Sequence, residues 1–220
     1  MMRAINYLKL DIRIMRGTLK YLVLVPLVFI FLTLKDSSAM GLGYLFFFLI
    51  IIAATPFTVE SNEKCDKMYY MLPSKISSMV LGRFLYLIST ILIVWIIDGS
   101  VMMYLYNTNT LSALEAIAIC LSGAVATIVC FCQYPIYYKF GIEKGKILSA
   151  LLYTVPAFII FALPSVLSSS SILTPQFLDR VLALTMSNKI SLSLLVVVII
   201  SIIGIVSYLF SCSICQRKEI

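Results

Sequence analysis

Polar and apolar positions along this chain are segregated into blocks rather than interleaved. Six long apolar runs, at 19–34, 39–59, 79–97, 113–138, 147–167 and 190–212, are separated by shorter polar stretches. A hydrocarbon core of about 30 Å takes roughly 20 apolar residues of helix, and the six runs meet that length once tilt and fraying are allowed. The runs are continuous, without the in-and-out alternation over about ten residues that marks a barrel strand, so helices are predicted throughout. The pattern predicts an all-α polytopic membrane protein whose residues 1–220 form one transmembrane domain of six helices.

Two segments outside the runs carry their own pattern. On a wheel of 100° per residue, Asn6, Lys9, Arg13, Arg16 and Lys20 fall within an arc of about 80°, while Ile5, Tyr7, Leu8, Ile12, Met15 and Leu19 fill much of the rest. Residues 1–18 are therefore expected to form an amphipathic helix lying at the membrane interface. The run that follows is long, lacks a small-residue cleavage site and is preceded by basic helix, so it is expected to stay in the mature chain. Between the fifth and sixth runs, Thr174-Pro175 reads as an N-cap followed by proline in the first helical position. Phe177, Leu178, Val181, Leu182 and Leu184 then predict a short external helix packed on the outer face.

Composition refines this picture through where the few charges fall. The chain is 61% hydrophobic and 12% charged, with a net charge of +7. Fourteen of its seventeen Lys and Arg lie in the N-terminal segment, the second and fourth connections and the tail. Only Lys35, Arg180 and Lys189 fall on the other side. The positive-inside rule then places both termini in the cytoplasm of a multi-pass membrane protein. The basic balance is accounted for by topology and anionic lipid, and gives no support to nucleic acid as a partner.

Chemistry-bearing residues are sparse. None of the six cysteines falls in an external connection, so free thiols are expected. Cys212-x-x-Cys215 lacks a second pair, and without any histidine in the chain it makes no metal site. The same absence removes Ser-His, Cys-His and histidine-ligated metalloprotease chemistry. Gly141-Ile-Glu-Lys-Gly145-Lys146 has one residue too few between its glycines for a phosphate loop and is followed by Ile147 rather than Ser or Thr. Glu115 is explained by a capping box with Ser112. Asp98 either ends a helix at the outer interface, beside Trp95 and Gly99, or is an intramembrane polar site if that helix runs on to about Tyr106. No catalytic residue, metal site or cofactor is expected in this chain.

The polar connection after the second run has a different character. Glu63, Lys64, Asp66 and Lys67 charge its first half, and Met68, Tyr69, Tyr70, Met71 and Leu72 follow. A solvated linker has no use for five bulky residues in a row, whereas a docking helix over 61–72 does, ending at Pro73. Together, Phe57, Glu60, Leu72-Pro73-Ser74-Lys75, Val80 and Arg83 resemble the ABC-2 type permease family, and within it the small six-span bacterial members that export peptides or confer resistance. Arg83 departs from the lysine commoner there.

The resemblance implies a permease subunit that works with a separate ATP-binding cassette ATPase, on which ATP and Mg would be bound, and with a second permease copy, in a homodimer. It implies that residues 61–72 are the coupling helix, with Glu60, Glu63, Lys67, Tyr69, Tyr70, Leu72 and Pro73 as the ATPase-coupling residues. It also implies a pathway lined by the second and fifth helices, where Phe46, Phe47, Phe158 and Phe161 would meet a peptide or hydrophobic cargo. Two other readings stay open on the residues alone. One is the substrate-capture membrane subunit of an energy-coupled importer; the other is an intramembrane enzyme, for which the chain offers no catalytic set.

Overall fold

A computed structural model of the chain describes residues 2–15, 17, 24–28, 30–31, 40–60, 76–111, 113–169 and 189–218. Five principal helices are found among them: α1 (Met2–Ile14), α2 (Met40–Glu60), α3 (Ile76–Asn107), α4 (Ala113–Ser169) and α5 (Lys189–Lys218). Among the described residues there is no strand. Stretches long and apolar enough to cross a membrane are Leu42–Val59, Ser77–Asn107, Ile119–Leu152 and Ser193–Arg217. The docking segment 61–75, the proposed external helix and most of the first apolar run lie outside the described residues.

Two boundaries differ from those read in the sequence. α3 runs on to Asn107 instead of stopping near residue 97. Its end is set by a cap: Asn109 takes a left-handed conformation (φ 55°), and both the backbone N and the Oγ1 of Thr110 donate to the Leu105 carbonyl, at 3.1 and 2.9 Å. α4 comprises two arms joined at a single residue, Gly141, with φ 73° and ψ −176°. That combination is essentially open to glycine alone, so the polar connection expected between the fourth and fifth runs shrinks to one turn point inside continuous helix. Gly145 allows the second arm to fold close, since a Cβ there would lie 2.7 Å from the Tyr137 ring.

The helices pack as α2 on α3 and α4, α5 on α3 and α4, and α1 on α3. α2 is apolar on all sides, yet it buries Leu42, Phe46, Leu49, Ala53 and Phe57 and leaves Tyr44, Phe47 and Ile51 exposed. Its buried positions recur every three or four residues, the spacing of one helical face. α5 is inverted relative to a helix in water: Ser207 and Ser211 are buried while Leu194, Ile202, Leu209 and Phe210 face outward. Lipid is the solvent that such an arrangement requires. On α1 the buried face is Tyr7, Asp11 and Met15, one residue per turn, with Lys9 and Arg13 exposed and Ile5 and Ile12 partly so. Asp11 thus lies on the protein side of a helix whose cationic residues were its most evident feature, and it acts electrostatically on Tyr86 of α3.

Proline decides where the helices are tied together. Pro56 has no N–H for the Ile52 carbonyl, and that oxygen instead accepts from Thr55 Oγ1 at 2.5 Å and from Tyr86 Oη of α3 at 3.5 Å. Pro135 likewise releases the Phe131 carbonyl, which accepts from Ser207 Oγ of α5 at 2.6 Å. Gln133, fully buried, donates to the Ile50 carbonyl of α2 at 3.4 Å. Each bond meets the demand that backbone polar groups in lipid find a partner inside the protein.

The Ser207 bond yields a test. Ser207→Ala is expected to lower stability by about 1 kcal/mol, measured by unfolding in mixed detergent micelles. In a Pro135→Ala background, where residue 135 regains its own donor, the loss should shrink to a few tenths of a kcal/mol. Equal losses in both backgrounds would remove the proline from the explanation.

Candidate functional site

The end of the bundle from which segment 61–75 leaves α2 and returns to α3 is built around one buried cation. Arg83, in the second turn of α3, is 1% exposed. Its guanidinium lies over the Phe57 ring of α2, 5.0 Å from the centroid, and 5.6 Å from that of Tyr138 on α4. A planar, weakly hydrated guanidinium can lie against aromatic faces where an ammonium would keep its water, which explains why arginine suits this position.

The rings around it are interlocked. Phe57 stacks on Tyr137 (5.1 Å, 22°) and meets Tyr134 and Tyr138 edge-on at 5.0 and 5.1 Å. Phe84 packs edge-on against Tyr134 at 5.1 Å and Tyr208 of α5 at 5.4 Å. Tyr134 is fully buried and donates its hydroxyl to the Arg83 carbonyl at 3.4 Å. Val80, fully buried, closes the cluster toward the start of α3. Four helices therefore meet at this end through aromatic contacts, and the pairs prefer the tilted and offset geometries seen here. Phe57 follows Pro56 and Tyr134 precedes Pro135, so the cage sits where both helical ladders are interrupted.

A second polar element lies further along α3. Trp95 donates to Thr127 Oγ1 at 3.2 Å, and Thr127 in turn donates to the Gly123 carbonyl at 2.7 Å. Phe46 tilts against Trp95 with centroids 5.2 Å apart. Both rings occupy the space that a side chain at Gly123 would need, since a Cβ there would fall 2.6 Å from Phe46 and 2.9 Å from Trp95. One turn beyond Trp95 is Asp98, 3% exposed.

The residues singled out in the sequence are distributed unevenly. Phe57 and Arg83 come together in the cage, and Val80 is buried in the same core. Glu60 is the last residue of α2, with its side chain outside the described ones. Glu63, Lys67, Tyr69, Tyr70, Leu72 and Pro73 lie outside the described residues. Phe46 is packed in the core, whereas Phe47 is half exposed on the opposite side of α2. Phe158 and Phe161 are in the second arm of α4, with side chains outside the described ones. Asp98 is interior to α3, nine residues short of its end. Sequence reading missed Asp11, Thr55, Tyr86, Tyr134, Tyr138, Gln133 and Ser207. A signal existed for two of them: a proline inside a span requires a donor for the carbonyl four residues earlier, and Ser or Tyr on a neighbouring helix can supply it.

The cage is open to a double-mutant cycle. Phe57→Leu and Arg83→Met, each close in volume to the parent side chain, are expected to couple by about 1 kcal/mol in detergent unfolding. Strict additivity would mean that ring and guanidinium are neighbours without a mutual attraction.

Comparison with known proteins bears directly on this bundle. No curated protein and no solved structure matches the chain. A family model described as "ABC-2 family transporter protein" matches residues 6–216, taking in all five helices from the first turns of α1 almost to the end of α5. Over nearly its whole length, then, this multi-pass chain belongs to the ABC-2 transporter family, as a membrane component.

Proposed function

We propose that this chain is the permease subunit of an ATP-driven exporter of peptides or other amphipathic and hydrophobic compounds, acting as a homodimer in the bacterial cell membrane with both termini cytoplasmic. ATP and Mg are held by a separate ATPase subunit, which docks on residues 61–72 through Glu63, Lys67, Tyr69, Tyr70 and Leu72. Glu60 and Pro73 fix the two ends of that segment. Phe47, Phe158 and Phe161 are the candidates to meet the cargo; Phe46 serves as packing between α2, α3 and α4.

One observation carries this reading: the Arg83 cage joins the last turn of α2 to the second turn of α3, close to the two points where segment 61–75 is attached. A push on that segment reaches Phe57 through α2 and Arg83 through α3. Because the guanidinium and rings hold Phe57, Arg83 and Tyr138 together, the end of α2, the start of α3 and the end of the first arm of α4 move as one block. The interrupted ladders at Pro56 and Pro135 are the softest places for the block to turn relative to the rest of the spans. Binding of ATP by the partner would favour one block position by its differential affinity for the two states.

The test is a pull-down in mild detergent, comparing the parent with a Tyr69→Glu, Tyr70→Glu double variant. An ATPase subunit should accompany the parent and be lost with the variant, while both chains elute as folded, helical protein. With Arg83→Met the ATPase should still be recovered, but the complex should lose most of the cargo-stimulated part of its hydrolysis. Recovery of no ATPase with an intact parent would count against docking at 61–72, and unchanged stimulation with Arg83→Met would count against the cage as the transmitting block.

A further inference from the structure

Asp98 is the buried acid that the transport reading leaves without a task. It lies 22 residues into α3, about 33 Å from Ile76 and about 14 Å from Asn107 at the rise of an α-helix. This is inside the apolar stretch Ser77–Asn107. Its Oδ1 is shielded from solvent and has no hydrogen-bond partner among the described residues. Among the described residues no counter-charge is paired with it, and an ionised carboxylate that loses its hydration without such a partner is strongly unfavourable. The carboxyl therefore has to acquire a ligand.

The surroundings narrow the choice. A metal cation calls for several oxygen ligands, and the described residues hold no cluster of candidate ligands. Asp98 is 97% enclosed by packed side chains, so an organic cation has no room beside it in this conformation. A proton needs neither space nor further ligands.

Among the described residues, other titratable groups are few. Cys120 of α4 is within electrostatic reach of Asp98. Glu115 precedes Cys120 by five residues on the same helix. α2 carries no charged residue between 40 and 59, and α5 none between 190 and 216. Tyr208 of α5 packs on Phe84, at the Arg83 end of α3. Asp11 of α1 acts on Tyr86, three turns from Asp98, and Lys9 and Arg13 are on the exposed side of α1.

We propose that Asp98 is a proton-binding site, neutral in this conformation and exchanging its proton with the aqueous phase near the exposed turn that ends α3. The inference rests on packing alone and is independent of the transport reading. Loss of the proton creates an unpaired charge beside the Trp95–Phe46–Gly123 contact, so release favours any conformation in which that contact opens to water. Proton occupancy and the separation of α3 from α4 at this level are thereby linked.

Trp95 makes the site measurable, because it is the single tryptophan of the chain and lies one turn from Asp98. The full chain is reconstituted in phosphatidylcholine–phosphatidylglycerol vesicles and its emission followed from about pH 5 to about pH 9, a range that includes the physiological one. A single transition is expected in the parent, in Glu115→Gln and in Cys120→Ala, and none in Asp98→Asn. Infrared spectra at neutral pH should show a carboxylic-acid carbonyl band that Asp98→Asn removes. Should Asp98→Asn fail to fold, Asp98→Glu must shift both the band and the transition. A transition that survives Asp98→Asn, or that disappears in Glu115→Gln or Cys120→Ala, overturns the assignment. So does the absence of the acid band, which would mean a paired carboxylate, or a band that persists without any transition, which would mean a proton that does not exchange.

Discussion

The architecture depends on satisfying polar groups where water cannot. A soluble helix interrupted by proline can leave the freed carbonyl to solvent, but a helix in hydrocarbon has to find a donor within the protein. Here the Ile52 carbonyl is met by Thr55 and by Tyr86 of α3, and the Phe131 carbonyl by Ser207 of α5. The same rule explains the inward Ser207 of α5 and the buried Gln133. Apolar contact with lipid or with another helix is nearly equivalent in energy, so it cannot choose partners. Tyr86, which reaches the Ile52 carbonyl and Thr55 Oγ1 of α2, and Ser207, which reaches the Phe131 carbonyl of α4, can, and in this way they set which helices are neighbours and in what rotation.

The fold class was legible in the sequence because it rests on run length, and every described element is helical, as the uninterrupted apolar runs indicated. Rotation of each helix was not legible, since α2 has no polar face from which to infer a buried one. Phe46 and Phe47 are adjacent, identical residues, and only the ring of Trp95 and the bare backbone at Gly123 decide that the first is core and the second is exposed. The extent of α3 was read short because Asp98 and Gly99 look like a helix end in isolation. The Thr110 and Asn109 cap, eleven residues later, is stronger, and the helix goes on to meet it.

The candidate site was legible in part for a similar reason. Phe57, Val80 and Arg83 were drawn together by a motif; in the bundle Phe57 and Arg83 touch, and Val80 is buried in the same core. Their aromatic partners on α4, Tyr134, Tyr137 and Tyr138, lie some fifty residues downstream of Arg83. No local pattern links such distant positions, and tyrosines near the end of a span are ordinary interface anchors. Asp11 was masked by the cations around it in the sequence; of these, Lys9 and Arg13 are exposed and describe the outer side of α1, which says nothing of the side facing α3.

The one-residue reversal at Gly141 also bears on how the chain sits in the membrane. Most neighbouring spans are joined by a polar loop. Here no such loop intervenes, and Lys139, Lys144 and Lys146 crowd the bend itself. Each arm fixes the position of the other's first turn, so the depths at which the two arms of α4 lie are coupled through Gly141, and a side chain forced into its left-handed backbone would strain both arms at once.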